Sequence, residues 1–259
     1  MSNKKRLKPI QLPHLIQGSE EWHQFRSLGL GSSDAGVISG LMPEAWDGFY
    51  SLKLQRVQGV KKYFSPEKEL VIQRGQDMEE EARQAYMEVS GIKVEPACFI
   101  HPEREWQRAS LDGIDAAWET ILEIKCSGEK VYNKVAIDLK IPNYYIAQMM
   151  HQLATVPTAK RAHFWMYDDI RGGVLMELLP DPDFINELVE REAWFWKALK
   201  ENRRIYSGML GTPIKIKHDY KVLYNSEQEK LDAMKPEGAE PQTEPTQQDL
   251  YDSEAMTEV

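Results

Sequence analysis

The sequence is poor in cysteine, in long apolar runs and in positive charge, and each shortage closes off a class of protein. Cys98 and Cys126 are the only two cysteines among 259 residues. That is too few for a disulfide framework or a cysteine-based zinc site, and it fits two buried thiols in a reducing, cytoplasmic setting. No run of about 18 apolar residues occurs, so no membrane-spanning helix is expected. The first nine residues are basic but lack the apolar stretch of a signal peptide. The formal net charge is −9, which at first sight excludes a polyanion as partner. The excess is local, however. Residues 237–259 carry seven acids and no base. The remainder is close to neutral, and a protein that holds a metal between carboxylates needs only one basic groove to meet nucleic acid.

What is present has the composition of a cored globular protein, with 42% hydrophobic and 28% charged residues. Four segments are expected: an N-terminal extension (1–16), one folded domain (17–210), a C-terminal extension (211–234) and an acidic tail (235–259) rich in Glu, Pro, Gln and Thr. Ser19 is a good N-cap for a helix that buries Trp22 and Phe25. A Gly-Ser-Ser turn at 31–33 precedes a short helix, and a longer one is expected over 73–89, stopped by Gly91. The periodicity then becomes alternating. Strands are expected over 94–100, 105–111 and 120–126, as consecutive antiparallel neighbours. A helix begins with Pro142 at its first position, strands follow at 161–167 and 173–179, and an amphipathic helix over 183–202 closes the domain. This order predicts an α/β, α+β-layered fold whose mixed sheet of about five strands is flanked by helices.

The chemistry concentrates in Ser110-Leu111-Asp112-Gly113 and Leu122-Glu123-Ile124-Lys125-Cys126. Asp112 is expected at the end of one strand, where Gly113 lets the backbone turn away and leaves room for a ligand. Glu123 and Lys125 are two residues apart on the next strand and share a face. A hairpin brings Asp112 opposite Glu123. Two carboxylates at close range repel unless a cation joins them, and Mg²⁺ suits a few carboxylate oxygens completed by water and phosphate. An ammonium beside them favours hydroxide over water and offsets charge on a pentavalent phosphorus. Asp, Glu-x-Lys is thus a minimal set for phosphodiester hydrolysis. Glu-x-Lys is also an ordinary surface pair, but here Ile121, Leu122, Ile124 and Cys126 surround it with core residues, and charges on a core strand are costly.

Five blocks occurring in order resemble the bacteriophage lambda exonuclease family, also described as YqaJ-like viral recombinases, within the PD-(D/E)xK nucleases. They are the stretches 17–26 with 31–35, 74–83, 109–113, 122–126 and 144–152. The proline of the superfamily pattern is replaced by Leu111. The resemblance implies a restriction-endonuclease-like core. It also implies a Mg²⁺-dependent (Mn²⁺ substituting) 5′-to-3′ exonuclease on double-stranded DNA ends, working as a homotrimer with a single-strand annealing protein. It assigns Asp112, Glu123 and the Ile124 carbonyl to the metal and Lys125 to catalysis. Glu79 reaches the metal from its helix, with Glu80 as the rival if the register slips, and Gln148 places the water or Lys125. Arg26, Ser33 and Ser110 match a pocket for the 5′-terminal phosphate, and an arginine with a hydroxyl-bearing turn is chemically apt for that anion. An endonuclease on the same fold, or a non-catalytic DNA-binding or assembly protein, are the competing readings.

Overall fold

The computed structural model describes residues 7–59, 66–126, 128–217, 220–226 and 229. The chain divides into two units, Met1–Ser226 and Glu227–Val259. The sheet and the helices that flank it belong to the first. The acidic tail expected from 235 lies outside the described residues.

Seven strands form one sheet in sequence order: β1 Ile10–Gln11, β2 Val94–His101, β3 Arg104–Asp115, β4 Thr120–Lys125, β5 Arg161–Asp168, β6 Gly172–Leu178 and β7 Tyr220–Asn225. The helices are α1 Glu20–Ser27, α2 Ala35–Ile38, α3 Trp46–Val57, α4 Pro66–Ser90, α5 Glu129–Asp138, α6 Asn143–Thr155 and α7 Pro182–Lys200. Neighbouring strands are antiparallel except β4 and β5. A parallel pair needs a long crossover, and α5 and α6 supply it.

The pleat sorts the residues of β4 and β5 onto two faces. Leu122, Ile124 and Trp165 pack with Ala82 and Tyr86 of α4. Ile121, Phe164 and Met166 pack with Ile146, Ala147, Met149 and Met150 of α6. Glu123 and Lys125 alternate with Leu122 and Ile124, so they fall on the α6 side. A further cluster joins α2, α3 and α7 through Ile38, Trp46 and Phe195.

The mixed, layered α/β class expected from the sequence is the one observed, with seven strands rather than about five. The two additional strands come from the N- and C-terminal extensions. β1 pairs with β2, and β7 with β6. α5 is a further addition to the expected elements. Pro142 is the residue before α6 rather than its first position. Asp112 lies inside β3 rather than at its end. Gly113 makes no room for a ligand: a Cβ there would stand 2.9 Å from Val94 Cγ2 and 3.1 Å from Leu122 Cβ, so it serves close packing.

A buried polar relay ties α6, β3 and α7 together. His151 and Glu192 are fully buried. The His151 ring meets Glu192 Oε1 at 2.6 Å through Nδ1 and the Arg108 carbonyl at 2.9 Å through Nε2. Gln107 donates to the other Glu192 oxygen at 3.4 Å, and Arg104 donates to Gln107 at 2.7 Å. A carbonyl only accepts, so Nε2 carries a proton; facing a carboxylate, Nδ1 carries one too. Burial works against the imidazolium, but Glu192 overcomes it and holds the His151 pKa above the ordinary value. The stabilisation from this pair is therefore complete below about pH 6.5, the unfolded histidine value, and is lost as pH rises through the raised folded value. Chemical denaturation at a series of pH values should show the unfolding free energy falling on the alkaline side. In His151→Gln that part of the fall should disappear.

Candidate active site and anion cleft

The site begins where two strands part. β3 and β4 pair at Gly113↔Leu122 and Ile114↔Ile121. One step further the ladder would set Asp112 against Glu123. Instead an Asp112 carboxylate oxygen accepts the Ile124 N–H at 2.8 Å. Burial pushes the Asp112 pKa well above the usual carboxylate range, and the nearby Glu123 pushes it further.

Glu123 is 1% exposed. One of its oxygens accepts from Lys125 and from Gln148, the other from Gln152. The Lys125 ammonium also lies 5.0 Å from the centre of the Tyr145 ring. Burial disfavours that ammonium, but Glu123 and Asp112 prevail and keep its pKa above the ordinary lysine value. Glu79 enters from α4. Arg83 donates to Glu79 at 2.8 Å and to the Asp112 carbonyl at 2.7 Å, stapling the helix carboxylate to β3. Burial raises the Glu79 pKa, Arg83 opposes this, and Glu123 adds to it. Glu79 is 22% exposed and Glu80 64%, so Glu79 is the member of the acidic run turned toward the cluster. The Cys126 thiol is pushed up to about 12, first by burial and then by Glu79 and Asp112, which leaves it inert.

The anion-binding candidates assemble separately. Ser19 caps α1 by accepting the Trp22 N–H at 3.1 Å. The Arg26 guanidinium stacks 4.7 Å from the centre of the Trp22 ring and donates to Ser33 Oγ at 2.8 Å. Ser110 Oγ accepts from Trp22 Nε1 at 3.0 Å and from the Cys98 thiol, leaving its own O–H as a donor. The Gly31–Ser33 turn is held by Asp34, whose carboxylate accepts the Gly31 N–H at 2.8 Å and pairs with buried Lys53 at 2.6 Å. Burial would raise the Asp34 pKa, but Lys53 and then Arg26 reverse this and hold it below the ordinary value. The peptide at Leu30 locks the turn to β3: it donates to the Trp106 carbonyl at 2.7 Å and accepts from the Arg108 N–H at 3.0 Å.

Both groups line one cleft of about 110 Å³. Arg26, Ser33, Ser110 and Arg108 stand with Asp112, Glu123, Lys125 and Gln148 on its walls. A larger cleft of about 410 Å³ includes Val89, Arg161, His163 and Glu177. Its single carboxylate, Glu177, is already paired with Arg161 at 3.0 Å, so it offers no comparable centre. Sequence reasoning misses Arg83, Gln152, Asp34, Lys53 and Arg108. Arg83 and Gln152 carry a signal, since each lies four residues beyond a chosen residue on the same helix face. The Asp34–Lys53 pair spans 19 residues and carries none.

The YqaJ-like viral recombinase domain matches residues 21–160. The chain belongs to this family. A Bacillus subtilis (strain 168) member, the uncharacterized protein YqaJ, is 29% identical over 181 residues, which cover 68% of this chain and 55% of that protein. The chain thus spans about half the length of the curated relative it matches. Among solved structures, an alkaline exonuclease (LHK-Exo) from Laribacter hongkongensis and LHK-Exo in complex with dAMP each superpose with a TM-score of 0.62 at 23% identity. Each covers 71% of this chain and 94% of the other. That likeness establishes a shared fold.

Among the described residues, no three or more His, Cys, Asp or Glu side chains close on one point. The donor set does fit a hard cation: Mg²⁺ takes one or two carboxylates and keeps water for its other positions. Asp112, desolvated and close to Glu123, would be stabilised by such a charge. Arg83 holds the third carboxylate in reserve. Arg83→Gln should weaken binding of a divalent ion at this centre about 10- to 100-fold, as outer-shell substitutions do. A divalent-ion titration should show the half-maximal concentration rising. An unchanged titration would mean that Arg83 only packs α4 against the sheet.

Proposed function

We propose that this protein is a divalent-metal-dependent DNA nuclease that resects one strand of a duplex from its 5′ end. It releases mononucleotides and leaves a 3′ single strand. The observation that carries this reading is the shared cleft: an anion pocket of Arg26, Ser33 and Ser110 opens onto Asp112, Glu123 and Lys125. A volume of about 110 Å³ suits a phosphate and a few waters. An enzyme that grips a terminal phosphate beside its cutting centre works from the end. Membership of a recombinase family and a fold shared with an alkaline exonuclease support the same reading.

Asp112, Glu123 and the Ile124 carbonyl would hold Mg²⁺, or Mn²⁺ in its place, with Glu79 behind them. When bound, the ion supplies Lewis-acid activation of the scissile phosphate and an acidified water. The chain's own residues do the rest. Arg26 and the two serine hydroxyls fix the 5′-phosphate. Gln148 and Gln152 hold Glu123 in one orientation. Lys125 sits against Glu123 and offers positive charge where negative charge builds on the phosphorane. Assembly as a homotrimer, delivery of the 3′ strand to a single-strand annealing protein and a cytoplasmic location belong to this proposal and rest on the resemblance alone.

End-labelled linear duplex with Mg²⁺ should be shortened from its 5′-phosphate end to mononucleotides, while closed circular DNA stays intact. Lys125→Ala should slow the reaction by about 10²- to 10³-fold. Cutting of the circle would convert the reading to an endonuclease. Activity unaffected by Lys125→Ala would remove the site.

A further inference from the structure

Among the charged residues lining the cleft, Arg108 is the one with no assigned task. It stands on the wall with Arg26, Ser33, Ser110 and Lys125. Its guanidinium is fixed by two main-chain carbonyls: Nε donates to Glu105 at 3.0 Å and Nη1 to Phe25 at 3.1 Å. The group lies 5.0 Å from the centre of the Phe25 ring. Its neighbour in the pocket, Arg26, follows Phe25 directly, so the two cations hang from consecutive residues of α1.

Three features separate Arg108 from a surface arginine. Among the described residues it makes no ion pair, since both of its hydrogen-bond acceptors are neutral carbonyls. Burial presses its pKa downward and Glu105 offsets this only in part. A half-buried cation whose contacts are neutral carbonyls is costly, and an anion that enters beside it relieves the cost. The slot is also kept open by the chain: a Cβ on Gly29 would stand 2.3 Å from the Trp106 carbonyl oxygen and 2.8 Å from Arg108 Cδ and Nε. The Leu30 peptide, which accepts the Arg108 N–H at 3.0 Å, fixes this arginine next to the Gly31–Ser33 turn.

We propose that Arg108 is a second phosphate-binding residue, and that with Arg26 it selects a terminal phosphomonoester over an internal diester by charge. A monoester carries about −1.5 to −2 at neutral pH, which two guanidiniums match. A diester carries a single negative charge and one fewer anionic oxygen, so it engages the two guanidiniums less fully. This rests on the nuclease reading for its biological sense, but its test does not.

The test is equilibrium binding of the full chain, without divalent ion, to three hairpin duplexes. They differ only in bearing a 5′-phosphate, its monoanionic methyl ester, or a 5′-hydroxyl. The wild-type protein should bind the phosphate end about tenfold more tightly than the ester, the worth of one charge-assisted hydrogen bond. Arg108→Gln should reduce that ratio to about twofold or less, and Arg108→Lys should keep part of it. Each ratio is internal to one folded preparation, so a general loss of stability does not imitate the effect. Failure of the wild-type protein to distinguish phosphate from ester overturns the proposal. So does equal weakening of all three ends in Arg108→Gln, which would make Arg108 a cap for the end of α1. Charge preference without resection would sink the exonuclease reading and leave this one standing. Resection with the preference unchanged in Arg108→Gln would do the reverse.

Discussion

The hydrogen bond from the Ile124 N–H to the Asp112 carboxylate is the interaction on which the site depends. Had the β3–β4 ladder continued, Asp112 and Glu123 would face each other as a cross-strand pair of like charges, which destabilises a sheet. With the carboxylate in place of a carbonyl, the N–H is satisfied and the strands are free to part. The gap becomes a wall of the cleft. The same bond holds the Asp112 carboxylate at the parting of the strands, where it lines the cleft with Glu123 and Lys125.

The means used to hold Glu123 are as telling as its position. Two of its three partners are the neutral amides of Gln148 and Gln152. Amides orient a carboxylate without cancelling its charge. Lys125 alone offsets the pair formed by Asp112 and Glu123, so the centre keeps an excess of negative charge in a poorly solvated place. The anion pocket has the opposite character, with two guanidiniums stacked on α1. A basic end and an acidic end meet within one small cleft, and a phosphodiester next to a metal ion asks for that contrast. The near-neutral balance of the chain outside its tail is in keeping with these two ends.

Much of this is legible in the sequence because the signals are local. Alternation puts Glu123 and Lys125 on one face, and the apolar residues around them mark a core strand. The four-residue spacing on α4 and α6 carries Glu79 with Arg83 and Gln148 with Gln152, although motif reading picks out only the first member of each pair. Other features depend on contacts distant in sequence. β1 is two residues long and β7 an edge strand, so both owe their form to the neighbour they pair with more than to propensity. A glycine after Asp112 suggests freedom to turn, when the crowding of Val94 and Leu122 is what requires it. Asp34 and Lys53 find each other only once α3 has packed, and the seating of the Arg108 guanidinium on two main-chain carbonyls is a property of the assembled cleft.

The Leu30 peptide clasps β3 next to Arg108, and Ser110 and Asp112 follow on the same strand. Ser110 and Asp112 share a face and are separated by one repeat of the pleat, about 6.6 Å. The group that would hold the end of a strand and the group that would help cut it are thus two marks on a single rigid ruler. For the activity proposed here, the distance from the held phosphate to the cutting centre would be set by β3 together with α1 and the Gly31–Ser33 turn. Such a ruler has no way to read the bases, and it would return to the same mark after every cut.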